Sequence, residues 1–164
     1  MAKVTTGVYP VYDIDFKIGL KGLLSTEAEM ASVKDMESFA IAIESTLEKW
    51  NPLDQGGWAR ALATAKAGTI SLKGKRSVGD PGNDYVNGVL WKDGLDCSTK
   101  YEVNFPDGSK IVGDCVLDVK SAPGGDSTNV AALEFDIVFD GKPTFTDIPT
   151  VEGKSVPIDT KGAK

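Results

Sequence analysis

The sequence lacks histidine altogether and contains only two cysteines, Cys97 and Cys115. Histidine is the commonest general base, metal ligand and triad member of enzymes, so its absence removes those roles. The two cysteines have neither the spacing of a zinc site nor that of a Cys-x-x-Cys pair. A reducing compartment favours buried free thiols, and a Cys97–Cys115 disulfide is the alternative.

Long hydrophobic runs are also missing. No stretch approaches the roughly 18 apolar residues that a membrane span needs, and the N-terminal sequence MAKVTTGVYP has no signal-peptide core. We therefore expect a protein that is made in a cytosol and does not interact with a membrane. The formal net charge is −6 and the sequence pI is about 4.7. Such a surface repels phosphate backbones, so tight DNA binding is disfavoured, whereas DNA could still pass without binding.

The acidic clusters do not predict a catalytic or metal site. Asp13 and Asp15 would lie roughly 7 Å apart on one face of a predicted strand, where a solvated strand face is a simpler explanation than paired catalytic carboxylates. Asp80, Asn83 and Asp84 do not have the spacing of an EF-hand loop, and a helix cap explains them. The sequence therefore predicts a non-enzymatic protein without a cofactor or a metal.

A small basic cluster, Lys73, Lys75 and Arg76, lies at the end of a predicted strand. It lacks the GxxxxGK[ST] pattern of a phosphate-binding loop, and no GxGxxG follows a strand. No aromatic platform with basic rims is present for single-stranded nucleic acid. The cluster is either an exposed strand end or a partner for an acidic face on a neighbouring subunit.

Alternation of apolar and polar residues predicts a mainly β protein. The alternating stretches are residues 8–18, 36–45, 68–74, 101–105, 111–119 and 131–139. Pro106-Asp107-Gly108 predicts a hairpin turn, and Asp140-Gly141 predicts the end of the last strand. The length fits one domain. We expect an antiparallel β-sandwich or partly closed barrel with one or two short flanking α-helices.

Two helices are predicted between residues 56 and 91. The first rests on the helical spacing of Trp58, Ala61, Leu62 and Ala65. The second follows the turn sequence SVGDPGN, begins at a cap formed by Asn83 or Asp84, and ends at Asp93-Gly94. Its apolar face would consist of Tyr85, Val86, Val89 and Leu90.

Residues 47–57 predict a projecting loop because they contain Pro52 and two consecutive glycines. Trp50 and Leu53 are large apolar residues on this loop, and they need burial. They either fold back on their own domain or pack on a neighbouring subunit.

Four segments in the same order resemble the tail tube (major tail) proteins of long-tailed bacteriophages. The central one is TISLKGKRSVGDPGNDYV. The others are MASVKDMESFAIAIESTLEKWNPLD at 30–54, FPDGSKIVGDCVLDV at 105–119 and GGDSTNVAALEFDIVFDGKPTF at 124–145. The resemblance covers residues 8–148, which is most of the chain.

This resemblance implies a tail-tube fold and a structural role in a virion tail. Subunits of that family form hexameric rings that stack helically into a hollow tube, the conduit for genome ejection. The implied partners are further copies of the chain and the tape-measure, tail-tip and tail-terminator proteins, with double-stranded DNA passing through without specific binding. The chain would be a single domain, 1–164, with an N-terminal arm at 1–7 and a weakly specified extension at 146–164. It would be synthesised in the cytoplasm of a bacterial host.

The resemblance also implies three groups of site residues. Contacts between rings are assigned to Trp50, Pro52 and Leu53. Pairs between subunits are assigned to Lys73, Lys75, Arg76, Asp80 and Asp84. The candidate acids that face the lumen are either Asp13 and Asp15 or Asp114 and Asp118, whose negative charge would repel DNA and let it slide.

Two other functions remain open. The same architecture resembles the inner tubes of contractile tail-like particles and of a related secretion system. An adhesion or carbohydrate-binding β-sandwich is a further alternative, which requires a concave face with exposed aromatic residues. Trp58 and Trp91 lie on predicted packing faces, so the sequence disfavours the last alternative.

Overall fold

A computed structural model describes residues 7–121 and 123–147. Within these ranges the chain forms seven strands and one α-helix. The strands are β1 (Asp15–Gly19), β2 (Met30–Ser32), β3 (Met36–Trp50), β4 (Arg60–Lys75), β5 (Ser98–Asn104), β6 (Lys110–Ser121) and β7 (Ala132–Thr146). The helix is α1 (Pro81–Val89). The mainly β prediction with a flanking helix is confirmed. Most of the predicted N-terminal arm and the extension from residue 148 onward lie outside the described residues.

All seven strands belong to one antiparallel sheet in the order β2-β1-β5-β6-β7-β4-β3. The sheet is not closed into a barrel, because its edge strands β2 and β3 are not paired with each other in the described part of the chain. It is nevertheless strongly curled. Phe16 of β1 and Phe39 of β3 come from opposite ends of the sheet, and their ring centroids are only 6.1 Å apart. The curled sheet therefore encloses a core on its concave face.

Alternation along the strands fills this core. Ile70, Ile137 and Leu117 are register partners on β4, β7 and β6, and all three are buried. Burying a side chain of this size contributes about 1.5–3 kcal/mol. The remaining buried apolar residues are Phe16, Ile18, Val33, Leu72, Val86, Val89, Tyr101, Val103, Cys115, Leu133 and Phe135. Because inward residues alternate with outward ones, the convex face of β6 and β7 carries four aspartates together with the exposed pair Val116 and Val138.

Helix α1 contacts β1, β2 and β6 and contributes Val86 and Val89 to the core. Its cap differs from the prediction. Asp80 is the N-cap residue, and its carboxylate accepts a hydrogen bond of 3.0 Å from the backbone N–H of Asn83. Pro81 begins the helix, since its missing N–H is not needed in the first turn. The helix thus starts earlier than expected and ends at Val89, ahead of the predicted end at Asp93-Gly94.

The predicted helix around residues 58–65 is wrong. Residues 60–65 form the start of β4, where Ala61 pairs with Lys49 and Ala65 pairs with Thr46 of β3, and Trp58 precedes the strand. The helical spacing of four apolar residues is a weak local preference. Hydrogen bonding along the whole of β3 overrides it.

The first strand is shorter than predicted. Residues 11–13 form a 3₁₀ turn after Pro10, and β1 begins only at Asp15. Val8 and Tyr12, expected to face inward, are exposed. Pro10 cannot donate a ladder hydrogen bond, which is consistent with the strand beginning after it.

The last strand is longer than predicted. Asp140 pairs with Asp114, and pairing resumes between Thr144 and Val112, so residues 141–143 form a bulge opposite one residue of β6. Gly141 has φ of 86°, a conformation that glycine adopts without strain. The Asp140-Gly141 turn signal therefore marks a bulge, and β7 continues to Thr146.

Candidate assembly surfaces

The distal halves of β3 and β4 form a hairpin that projects from the core. We call residues 44–67 the arm; its strands pair from Glu44–Ala67 to Trp50–Arg60. Every arm residue is exposed except Pro52, which is half-buried. Six residue steps of strand correspond to roughly 20 Å before the turn. The predicted loop at 47–57 is thus partly wrong, because residues 47–50 continue β3 and the projecting element is a hairpin.

The tip of the arm, residues 50–58, is apolar and uncovered. Leu53 lies in a 3₁₀ turn and is fully exposed, and the Trp58 side chain is 81% exposed. The Trp50 ring lies beneath the Arg60 guanidinium, 5.6 Å from its centroid, and remains 40% exposed. Large exposed apolar side chains on one element are typical of an interaction surface. Trp58 was missed as a tip residue because its spacing suggested a packed helix.

A groove lies where the arm leaves the core. We call it the base groove; it has a volume of about 750 Å³ and runs between residues 63–68 of β4 and the end of β7. Ile43, Phe139 and Phe145 provide its apolar lining. Ile43 and Phe145 are 61% and 58% exposed. The groove was not predicted, because it depends on the continuation of β7 beyond its bulge.

Gly68 is the point at which the arm joins the core. A Cβ atom there would overlap the ring of Phe139. That ring also stacks on Tyr101, with centroids 4.9 Å apart. The glycine therefore allows β7 to pack closely across the base of the arm.

The predicted basic cluster and its acidic partners all have partners within the chain. Arg76 and Asp84 form an ion pair of 2.7 Å. Lys73 lies 3.8 Å from Glu134, Lys75 lies 3.8 Å from Glu37, and Lys34 lies 4.0 Å from the Asp80 carboxylate. The structure thus brings together Arg76 and Asp84 alone from the predicted set. Pairing of these residues between subunits stays a prediction.

Two of the predicted lumen acids, Asp114 and Asp118, lie on the convex face of β6. Asp140 is the register partner of Asp114, and Asp136 is that of Asp118. Lys120 bridges the second pair, at 2.8 Å from Asp136 and 3.6 Å from Asp118. The hydrogen bond from Lys120 lowers the pKa of Asp136 below its ordinary value. Asp114 forms no ion pair within the described residues, and its register partners are Asp140 on β7 and Lys100 on β5.

Asp13 and Asp15 do not form the predicted pair on one strand. Asp13 lies in the 3₁₀ turn, whereas Asp15 lies in β1. The Asp15 carboxylate is 3.1 Å from the Lys17 ammonium and accepts a hydrogen bond of 3.0 Å from the Ser32 hydroxyl. Asp13 is exposed. Because β1 begins only after Pro10 and the 3₁₀ turn, Asp13 and Asp15 lie in different surroundings.

Both cysteines are free thiols, as the sequence favoured, but only Cys115 is buried as expected, whereas Cys97 is half-buried. Burial raises the pKa of the Cys115 thiol to about 12, so it is not an activated nucleophile. Cys97 donates a hydrogen bond to the Lys92 carbonyl. The described residues contain no cluster of three metal-ligating side chains. No helix in the same part of the chain is long and apolar enough to cross a membrane.

Comparison with solved structures shows that this fold is similar to the fold of chains from gene transfer agent particles. Neither a protein-family model nor a curated protein matches the chain. Among solved structures, it is similar to the tail of an empty gene transfer agent particle, determined by helical refinement with C6 symmetry (TM-score 0.69, 19% identity). It is also similar to a chain of the native gene transfer agent virion (TM-score 0.65, 17% identity). Each match covers 85% of this chain and 100% of the other chain. The resemblance to tail proteins is thus confirmed at the level of the fold.

Proposed function

We propose that this chain is a structural subunit of a phage-like tail that forms hexameric rings, and that the rings stack into a hollow tube for DNA. The observation that carries the proposal is the arm. A hairpin that projects roughly 20 Å and has no fully buried residue adds little to monomer stability. Its apolar tip is explained if a second copy covers it.

The geometry of the arm favours open stacking. The tip and the body are different surfaces of one chain, so a contact between them in two copies is heterologous and can repeat without limit along an axis. The similar gene transfer agent tail has C6 symmetry and helical order, which supports six subunits per ring. Trp50, Pro52 and Leu53 would form the contacts between rings.

We further propose that the convex face of β6 lines the channel. Asp114 and Asp140 stand opposite each other there, and Asp118 and Asp136 stand opposite each other four residues along on the same face, with the Val116–Val138 pair between them. A negative wall repels the DNA phosphates, so the genome slides through without binding. The same repulsion between neighbouring acids is tolerated because the face is solvated.

Electron microscopy of the purified, concentrated protein tests the assembly. Hollow rings or tubes with sixfold end views are expected after days of incubation. Globular particles that persist even after seeding with a tail-tip extract would contradict the proposal. A Leu53→Ser, Trp58→Ser variant should keep the fold and the rings but lose the tubes, because only the arm tip is changed.

The channel is tested separately with the double variant Asp114→Lys, Asp118→Lys. We expect intact tubes and slowed DNA ejection from assembled particles. Asp93→Lys, Asp96→Lys is the matched control, because it changes the net charge by the same amount at exposed residues after α1. Equal ejection rates for the two variants would contradict a channel lined by β6.

A further inference from the structure

We propose that the base groove of one copy is the receptor for the arm tip of a second copy. This inference rests on the proposed tail assembly and goes beyond it by naming the acceptor surface. The side chains concerned are Leu53 and Asp54 on the tip, and Ala65, Lys66 and Lys142 in the groove. It commits to a contact between two copies of this chain.

The apolar surfaces match in kind and position. The groove is lined along β4 by alanines at 63, 65 and 67, which leave room for a bulky guest above Ile43 and Phe145. The tip offers two such guests, Leu53 and Trp58, both largely exposed. Covering both surfaces at once would remove the largest uncovered apolar side chains of the arm from water.

The charges match as well. Asp54 is the single acid in the turn between β3 and β4, and it is exposed. Lys66 and Lys142 lie on the groove lining and are exposed. None of these three residues forms an ion pair within the described part of the chain. A carboxylate that enters the groove with Leu53 would therefore meet two unpaired ammonium groups.

The tip cannot occupy the groove of its own chain. From Ala65 to Arg60 is five residue steps of strand, or roughly 17 Å; these residues pair with β3 across a bulge at Thr64, and Trp58 lies beyond the paired strand. Tip and groove are thus at opposite ends of the hairpin. A second copy can satisfy both, and each added copy presents a new free tip, which gives a stack.

Residues 148–164 of the same chain are the competing occupant, because they follow Phe145 directly in sequence. The experiment must therefore distinguish a tip from another copy from this terminal segment. Reversing the charges of the tip in one variant and of the groove in another distinguishes these occupants, since the tip variant leaves residues 148–164 unchanged.

The two variants are Asp54→Lys and Lys66→Glu, Lys142→Glu. Each alone places like charges at the contact, and the critical concentration for tubes should rise at least about tenfold. A mixture restores opposite charges wherever the tip of one variant meets the groove of the other, so tubes of alternating copies should form well below the critical concentration of either variant alone. Circular dichroism and monomer unfolding midpoints should match the wild type, because the three side chains are exposed and unpaired.

Disulfide trapping tests whether the arm tip of one copy lies next to the base groove of another. Leu53→Cys protein mixed with Ala65→Cys protein should form crosslinked dimers upon oxidation, and a chain that carries both changes should form a ladder. The wild type, with its own Cys97 and Cys115, is the control and should form neither. Crosslinking of Ala65→Cys to Ile158→Cys within one chain, in place of the dimer, would overturn the proposal in favour of the terminal segment.

The outcomes separate the two levels of the argument. A wild-type protein that forms neither rings nor tubes contradicts the proposed function. If the wild type forms tubes, two results would overturn the groove as the receptor and leave the tail function intact. One is that the charge variants alone assemble at the wild-type concentration. The other is that they fail to assemble even when mixed.

Discussion

Replacing Asn83 by alanine should strongly destabilise the fold, because this buried side chain holds three segments together. Its amide nitrogen donates to the backbone carbonyls of Lys34 (3.2 Å) and Lys75 (3.0 Å). Its amide oxygen accepts from the Ser77 backbone N–H (3.1 Å) and the Arg76 guanidinium (2.8 Å). The connection before β3, the end of β4 and helix α1 thus meet at one side chain.

The magnitude follows from the groups that would lose their partner. Asn83→Ala removes the hydrogen-bond partner of two backbone carbonyls and one backbone N–H around a fully buried side chain. Each unsatisfied group costs about 1–3 kcal/mol, and part of this is recovered if water enters. We expect a loss of about 3–5 kcal/mol, a large share of the 5–15 kcal/mol that stabilises a typical domain. Urea unfolding of the dilute monomer, followed by circular dichroism, measures this loss directly.

Asn87→Ala is the matched control on the same helix. The amide oxygen of Asn87 is buried without a hydrogen-bond partner in the described residues. Its removal should change stability by less than about 1 kcal/mol, since alanine also favours the helix. Equal losses for the two variants would refute the argument that the Asn83 network, and not asparagine burial itself, joins the three segments.

Two further predictions concern backbone contact and pH. A Cβ atom at Gly74 would lie 2.6 Å from the Cα of Met36, so Gly74→Ala should reduce the free energy of unfolding by about 3 kcal/mol or more. A Cβ atom at Gly88 would have no neighbour within 4 Å, so Gly88→Ala should stabilise α1 by about 0.5–1 kcal/mol. Thermal unfolding distinguishes the two variants, and similar midpoints would contradict the packing argument. The Lys120 hydrogen bond lowers the folded-state pKa of Asp136, so its stabilisation is present above the unfolded pKa of about 3.9 and is lost as pH falls through the lower folded value. Unfolding midpoints between pH 5 and 3 should therefore fall more for the wild type than for Asp136→Asn, and parallel pH curves would contradict this assignment.

The sequence by itself determined the core strands. Leu133, Phe135 and Ile137 alternate because they face a core made by the same chain, and that periodicity is local. The turn at residues 106–108 is determined locally by its proline and glycine. The apolar face of α1 is determined by the burial of that face against the core. The resemblance to tail proteins rested in part on these segments.

Only the tertiary structure decided the arm, the base groove and the ion pairs. Residues 60–65 face no core of their own chain, so burial does not impose a period of two on them, and their strand conformation comes from pairing with β3. The bulge at 141–143 extends β7 because β6 still offers it hydrogen bonds beyond Asp114. Arg76 meets Asp84 only because α1 folds back beside the end of β4. Sequence periodicity records burial within one chain, whereas these features depend on pairing across strands and, for the arm tip, on the proposed second copy.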